Sequence, residues 1–385
     1  MTDIQNTKTI TNPSNLLFEG IHNYDFHKVK ESIKRGANVN QPDPCEMYGW
    51  GSTPLHFACG RGYQKEITIQ IIEVLLQAGA NPNARRNNFT GETPLHYSVA
   101  MSNPDETKLL VKYGADINAV SSQGKTPMSI ALDNLQLTQA KTLQNMGISI
   151  NTVIGSHTTA LTKAIRAQRI DVVRGLLKMG ANPNFIPPGG ESPLIACITH
   201  NQVQIIRILL NVGADINWVD ADGDSFLHYV ARQNYNRGNL IKLGIEAGAN
   251  PNQPNKKGMT PLMTAILHYN CDVIDNILFY TNILLTDNKG NNIWHTVIST
   301  QDINLIDSIY TESMGFVSSN PKTEENEISL EAWREFLNQK NKMGKTPLQI
   351  AQDFENTEIG DHVEECLRFA RETDITQKQI KKMDS

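Results

Sequence analysis

The chain predicts an all-α fold: a solenoid of helix-turn-helix units joined by β-hairpin-like loops. Two observations carry this. The phrase Thr53-Pro54-Leu55-His56 returns as Thr93-Pro94-Leu95-His96, with weaker echoes opening at Thr126, Thr159, Ser192, Ser225, Thr260 and Thr346. The starts at 93, 126, 159, 192 and 225 are each 33 residues apart. A fixed period of this length marks an array of one repeated unit, not a globule around a single core. The second observation is a stop signal in register with the first. Gly-Ala-Asn or Gly-Ala-Asp begins at Gly36, Gly79, Gly114, Gly180, Gly213 and Gly248, and an asparagine follows two residues later each time.

The stretch from 93 to 125 shows the elements in order. A turn ending in Gly91 leads into a short helix from Thr93 to Ala100. Thr93 suits the N-cap, and Pro94 suits the first helical position, where its missing N–H costs nothing. Asn103-Pro104 is expected to break that helix. A second helix follows from Asp105 to Tyr113, with Leu109 and Leu110 inward. Gly114 ends it, because glycine adopts positive φ without strain. Ala115-Asp116-Ile117-Asn118 then opens an extended loop that returns at Gly124. The closing asparagines (Asn40, Asn83, Asn184, Asn217, Asn252) are expected to bond nearby backbone and fix the turn.

This pattern resembles the ankyrin repeat, a β-turn plus two antiparallel helices at the same period. Unit starts fall at Asn15, Thr53, Thr93, Thr126, Thr159, Ser192, Ser225, Thr260, Asn292 and Thr346. The array then covers 15–370, between a disordered N-terminal segment (1–14) and a polar tail (371–385). Atypical terminal repeats are expected as caps. Insertions in a solenoid map to loops. One is a finger from Gln41 to Trp50, and another lengthens the second helix through Glu66-Ile67-Thr68-Ile69. The largest is a helical insertion near 320–340, where Leu330, Trp333, Phe336 and Leu337 share a face. That helix packs onto the array or binds a partner.

The repeat accounts for most of the candidate chemistry. His56, His96, His228 and His295 hold the fourth position of the opening phrase, one per unit, so they cannot converge on one metal ion. Each is expected to bond a neighbouring loop or its own opening. Cys59 and Cys197 share a slot inside first helices and read as core thiols. Cys45, in the finger, is the one candidate nucleophile. Asp220-Ala221-Asp222-Gly223-Asp224 has a passing likeness to a calcium loop but lacks the later ligands. Five scattered cysteines with no paired spacing fit a reducing compartment, and no stretch is long and apolar enough to span a membrane. With a net charge of −5 and basic residues in separate pairs, nucleic acid is not expected. No catalytic residue, metal or cofactor is expected.

The resemblance implies protein ligands, held on a concave surface of loop tips and exposed first-helix sides. Carried over by position, the partner-binding residues are Tyr48, Trp50, Phe89, Met101, Arg166, His200, Trp218, Asp222, Arg232, Lys256 and His268. The expected function is a non-catalytic protein-binding scaffold, monomeric and cytoplasmic. The alternative is an adaptor with enzymatic activity in the non-repeat insertion. In its Asn, Ile and Lys content the chain also resembles ankyrin proteins that intracellular bacteria deliver into host cells. That likeness implies an effector secreted without a classical signal peptide, its polar tail serving as the delivery signal. The ankyrin resemblance further implies Asn83, Asn118 and Asn217 as substrates of a host asparaginyl hydroxylase.

Overall fold

The computed structural model describes residues 12–43, 51–60, 64–86, 90–154, 157–233, 237–319, 336–354, 357–366 and 368, without the side chains of 312–319. It divides into two compact halves, Met1–Pro193 and Leu194–Ser385. In each half, pairs of short helices follow one another at the expected period.

In the repeat that opens at Thr93, the first helix spans Pro94–Ala100 and the second Pro104–Lys112. Thr93 is extended (φ −95°), and its side chain closes a capping box with His96. The first helix ends at Ala100, ahead of Asn103-Pro104 as expected, and the same pair starts the next one. Asn103 caps the second helix, its side chain accepting from the Glu106 N–H, and Pro104 takes the first helical position. That position needs no N–H, so proline starts a helix there as readily as it stops one elsewhere. At the other end Gly114 has φ +89°, and the Ala115 N–H returns to the Leu110 carbonyl 3.0 Å away. This satisfies a carbonyl that the helix end would otherwise leave orphaned.

The first repeat begins earlier than the sequence suggests. Its helix spans Pro13–His22, with the Asn12 side chain accepting from the Ser14 N–H. Asn12-Pro13 therefore plays the Thr-Pro role, and Pro13 and Ser14 belong to the helix, not to a disordered segment. Ser14 is buried, and its hydroxyl accepts from the Asn38 N–H. Residues 1–11 lie outside the described chain.

Between the two helices of a repeat the backbone turns through a left-handed residue that is not glycine. Tyr24, Ser102, Leu135, Gln168, Asn201, Tyr269 and Gln301 have φ between 50° and 58°. The tight reversal demands this conformation, and each Cβ there adds strain.

The opening histidines tie repeat to repeat. His56 Nδ1 accepts from the Thr53 N–H (3.3 Å), and Nε2 donates to the Glu92 carbonyl (2.9 Å). The same two bonds recur for His96 (Thr93 N, Lys125 O), His228 (Ser225 N, Met259 O) and His295 (Asn292 N, Lys345 O). Each carbonyl belongs to the residue just before the next opening. The closing asparagines also reach across, rather than only to nearby backbone. Asn83 donates to the Gly114 carbonyl (2.8 Å) and accepts from the Asp116 N–H (2.6 Å). Asn40 makes the same pair with Gly79 and Asn81, and Asn217 with Gly248 and Asn250.

The loops pair as ledges. Val153–Ile154 and Thr158–Thr159 form a two-stranded antiparallel hairpin, and Val219 bridges Ser225. Successive tips bond through backbone: Ser122 N–H to the Thr90 carbonyl, Lys256 to Asp222, Asn288 to Lys257, and Lys342 to Lys289. Under the loops lies a strip of fully buried side chains, Leu55, Ile72, Leu75, Leu95, Val99 and Leu110 among them in the N-terminal half.

Two insertions are visible. The second helix of the Thr53 repeat spans Lys65–Gln77, 13 residues against nine for its neighbour at Pro104–Lys112. In the Asn292 repeat the second helix runs Ile303–Ser319, 17 residues, so part of the surplus lengthens this helix. Residues 336–338 are helical, with Phe336 and Leu337 buried, and the Asn292 side chain donates to the Phe336 carbonyl (2.9 Å). Leu330 and Trp333 lie outside the described residues. The His295–Lys345 and Lys289–Lys342 bonds span this surplus unchanged in kind. The Thr346 repeat thus stacks directly on the Asn292 repeat.

Candidate binding surface

The first helices bury nearly all of their length and expose their last turn. Met101, Arg166, His200, Arg232 and His268 are exposed at that end, one in each of five repeats. The cause is geometric. The helix runs inward from the loop, packs its middle on the second helix, and reaches solvent where the left-handed turn begins. At the loop tips Asp222 and Lys256 are exposed and Trp218 is half-buried. Tyr48, Trp50, Phe89 and Cys45 lie outside the described residues.

Several of these side chains already have partners. The Arg232 guanidinium pairs with Asp224, a carboxylate only 1% exposed. Asp224 also accepts from the Asn255 side chain (2.8 Å). Arg166 pairs with Glu191 at 2.7 Å. Both arginines are therefore partly committed within the chain. The Lys256 N–H donates to the Asp222 carbonyl, which couples those two tips.

The acidic run at 220–224 is a structural turn. Asp220 Oδ1 accepts from the Asp222 N–H (2.8 Å) and the Asp224 N–H (2.9 Å), and the Tyr229 hydroxyl donates to Oδ2 (2.7 Å). Burial disfavours the Asp220 charge, but these hydrogen bonds outweigh it and hold the carboxyl below its usual range. Burial and the same carboxylate push the Tyr229 hydroxyl well up.

The opening histidines are kept neutral. Burial lowers His56 to about 4 despite its bond to the Glu92 carbonyl, and burial also lowers His96, His228 and His295. With Nδ1 accepting and Nε2 donating to main chain, neither nitrogen is left for an ion. Cys59 and Cys197 are buried, and burial drives the Cys59 thiol well above its ordinary value. His157, His200 and His268 are exposed, and His157 Nδ1 lies 2.7 Å from the Pro188 carbonyl.

One grouping was missed in sequence. Asp307, His362 and Cys366 converge in the C-terminal half. The visible signal was a histidine and a cysteine four residues apart; what hid it was the third member, 55 residues away from His362.

Among the described residues no helix is long and apolar enough to cross a membrane. A family model described as ankyrin repeats matches three times, over residues 17–121, 64–154 and 151–220. Human Rabankyrin-5 is 38% identical over 94 residues, 23% of this chain and 8% of that protein. An intracellular phospholipase A2 of Caenorhabditis elegans is 34% identical over 80 residues, 21% of this chain and 7% of the enzyme. A putative E3 ubiquitin-protein ligase of Arabidopsis thaliana, XBAT34, is 30% identical over 101 residues, 26% of this chain and 24% of the ligase. The chain thus spans a quarter or less of these relatives. The crystal structure of the ankyrin repeat domain of Bcl-3, a member of the IkappaB protein family, superposes with a TM-score of 0.50 at 28% identity. That alignment covers 60% of this chain and 99% of the Bcl-3 chain.

Proposed function

Because the chain belongs to the ankyrin-repeat family, we propose that it is a non-catalytic protein-binding scaffold whose contacts are made by its loop tips and first-helix ends. One observation carries this reading. Repeat after repeat turns its recurring polar groups toward its neighbours, through the histidine and asparagine bridges, yet leaves the last turn of the first helix in solvent. In the C-terminal half His200 and His268 lie at exposed first-helix ends, Asp222 and Lys256 at exposed loop tips, and Trp218 at a tip offers a half-buried aromatic of the kind that anchors interfaces.

A finer reading is a bacterial effector that engages a host protein. Its support is compositional. Asparaginyl hydroxylation of Asn83, Asn118 or Asn217 belongs to the same reading. The Asn83 and Asn217 amides bridge two repeats in the folded chain, so a hydroxylase would need the turn opened. Intact-mass measurement after exposure to the enzyme tests that point.

The scaffold reading is tested by partner capture from a host-cell extract, followed by affinity measurement with the purified partner. Trp50→Ala combined with Trp218→Ala should weaken binding at least tenfold while far-UV circular dichroism stays unchanged. Unaltered affinity in a folded double variant would overturn this placement of the surface.

A further inference from the structure

A cluster of metal-ligating side chains lies near the C-terminal end of the chain, on helices rather than on loop tips. The long helix Ile303–Ser319 carries Asp307. Helical residues 357–366 carry His362 and Cys366 one turn apart, the spacing that places two side chains on one helix face. One ligand atom from each of the three lies within 4.8 Å of the other two. His362 Nε2 is 2.5 Å from Asp307 Oδ1. The Tyr310 hydroxyl donates to the Cys366 carbonyl at 3.3 Å, so the two helices are already held side by side.

We propose that Asp307, His362 and Cys366 form a site for a zinc-type divalent cation that clamps the last described helix to the long helix of the Asn292 repeat. The donor set chooses the ion. Imidazole nitrogen, thiolate sulfur and carboxylate oxygen together suit zinc, whereas calcium and magnesium take oxygen ligands. Spacing is close to what coordination needs. Bonds of about 2.0–2.3 Å put tetrahedral ligand atoms roughly 3.3–3.8 Å apart, so the His362–Asp307 contact opens by about 1 Å and no other spacing needs to close by more than about 1–1.5 Å. Access is graded: the Asp307 side chain is 53% exposed, His362 24%, and Cys366 is buried. An ion enters past Asp307 and seats against the thiol. Three protein ligands leave the fourth position to solvent.

The competing reading of the same residues is a cysteine nucleophile with a histidine base. Burial, with the nearby Asp307 and Glu365 charges, pushes the Cys366 thiol up to about 11. A protonated, enclosed thiol is a poor nucleophile. A metal ion reverses that condition directly, since it binds the thiolate and the thiol proton passes to solvent.

The clamp would secure the helical residues 357–366 against the long helix Ile303–Ser319. Binding to the folded pair alone stabilises it by linkage. The test uses the full chain, stripped with a chelator and titrated with cobalt(II), then zinc(II). One equivalent of cobalt should give a thiolate-to-metal charge-transfer band and tetrahedral visible bands, and one equivalent of zinc should abolish them and raise the thermal midpoint. Cys366→Ser should remove the charge-transfer band. Asp307→Asn, at an exposed side chain, should keep the far-UV spectrum and weaken zinc binding about a hundredfold or more, since even second-shell losses cost about 10- to 100-fold. The proposal fails if the wild type shows no band or if the band persists in Cys366→Ser. It fails too if Asp307→Asn binds as tightly as wild type, and this last variant decides alone should Cys366→Ser not fold.

Discussion

Glu106 is a carboxyl with little to hold its charge. It is 1% exposed, its Oε1 accepts from the Asn103 side chain (2.6 Å), and its Oε2 has no hydrogen-bond partner among the described residues. Burial pushes its pKa up to about 8 from an ordinary 4.5, against the pull of Asn103 and Lys65. Between these values the folded chain holds a proton that the unfolded chain releases, so stability falls as pH rises across the window. Glu106→Gln should flatten that slope and stabilise the protein at pH 8 by about 3 to 5 kcal/mol relative to its effect at pH 4.5. Urea unfolding at the two pH values measures it, and parallel curves for both proteins would refute the assignment. Leu135 supplies a second residue-scale expectation. At φ +54° it pays a steric penalty that asparagine largely escapes, so Leu135→Asn should gain about 0.5–1 kcal/mol in the same assay.

At the scale of elements, the loops are held by close backbone approach. Gly258 has φ +75°, and a Cβ placed there would sit 2.6 Å from the Asn288 nitrogen of the next loop. Gly344 has nearly the same φ, +76°, but open space around it. Gly258→Ala should therefore cost about 2 kcal/mol more than Gly344→Ala, which carries only the backbone strain of about 1 kcal/mol. Equal melting temperatures would show that the neighbouring loop yields freely. The asparagine bridges are a second device. Asn217→Ala removes one donor and one acceptor bond to the following repeat, both in solvent-exposed surroundings, and should cost about 1 kcal/mol. Asn217→Asp restores the acceptor for Asn250 but not the donor to Gly248, so it should recover only part.

For the molecule as a whole, the repeated histidines set an acid limit. His56, His96, His228 and His295 all have depressed pKa values through burial, His56 to about 4. Below an unfolded value of 6.5 the unfolded chain takes up protons that the folded chain refuses. Stability is thus complete above that value and is lost as pH falls toward the folded values, the opposite sign from Glu106. The optimum should lie near neutrality, and the denaturant midpoint should drop between pH 7 and pH 5. Gln349 occupies the histidine slot in the last opening and keeps the bond to its own N-cap amide (3.0 Å). His228→Gln should accordingly fold and reduce the proton uptake on acid unfolding by about one.

The repeat, its helix starts and its glycine stops were legible in the sequence because caps, prolines and positive-φ glycines act within a few residues. The histidines could likewise be assigned to the framework from their single fixed position per repeat. The exposed first-helix ends, Met101, Arg166, His200, Arg232 and His268, were placed by the period. What they touch was not: that Arg232 spends its charge on buried Asp224 depends on a side chain folded under its own loop. Only the tertiary structure decided that the asparagines clasp the next repeat, that the Thr346 repeat bonds directly to the Asn292 repeat, and that Asp307 meets His362 and Cys366. Those contacts join residues tens of positions apart, and the stacking of repeats, which no local pattern specifies, is what brings them together.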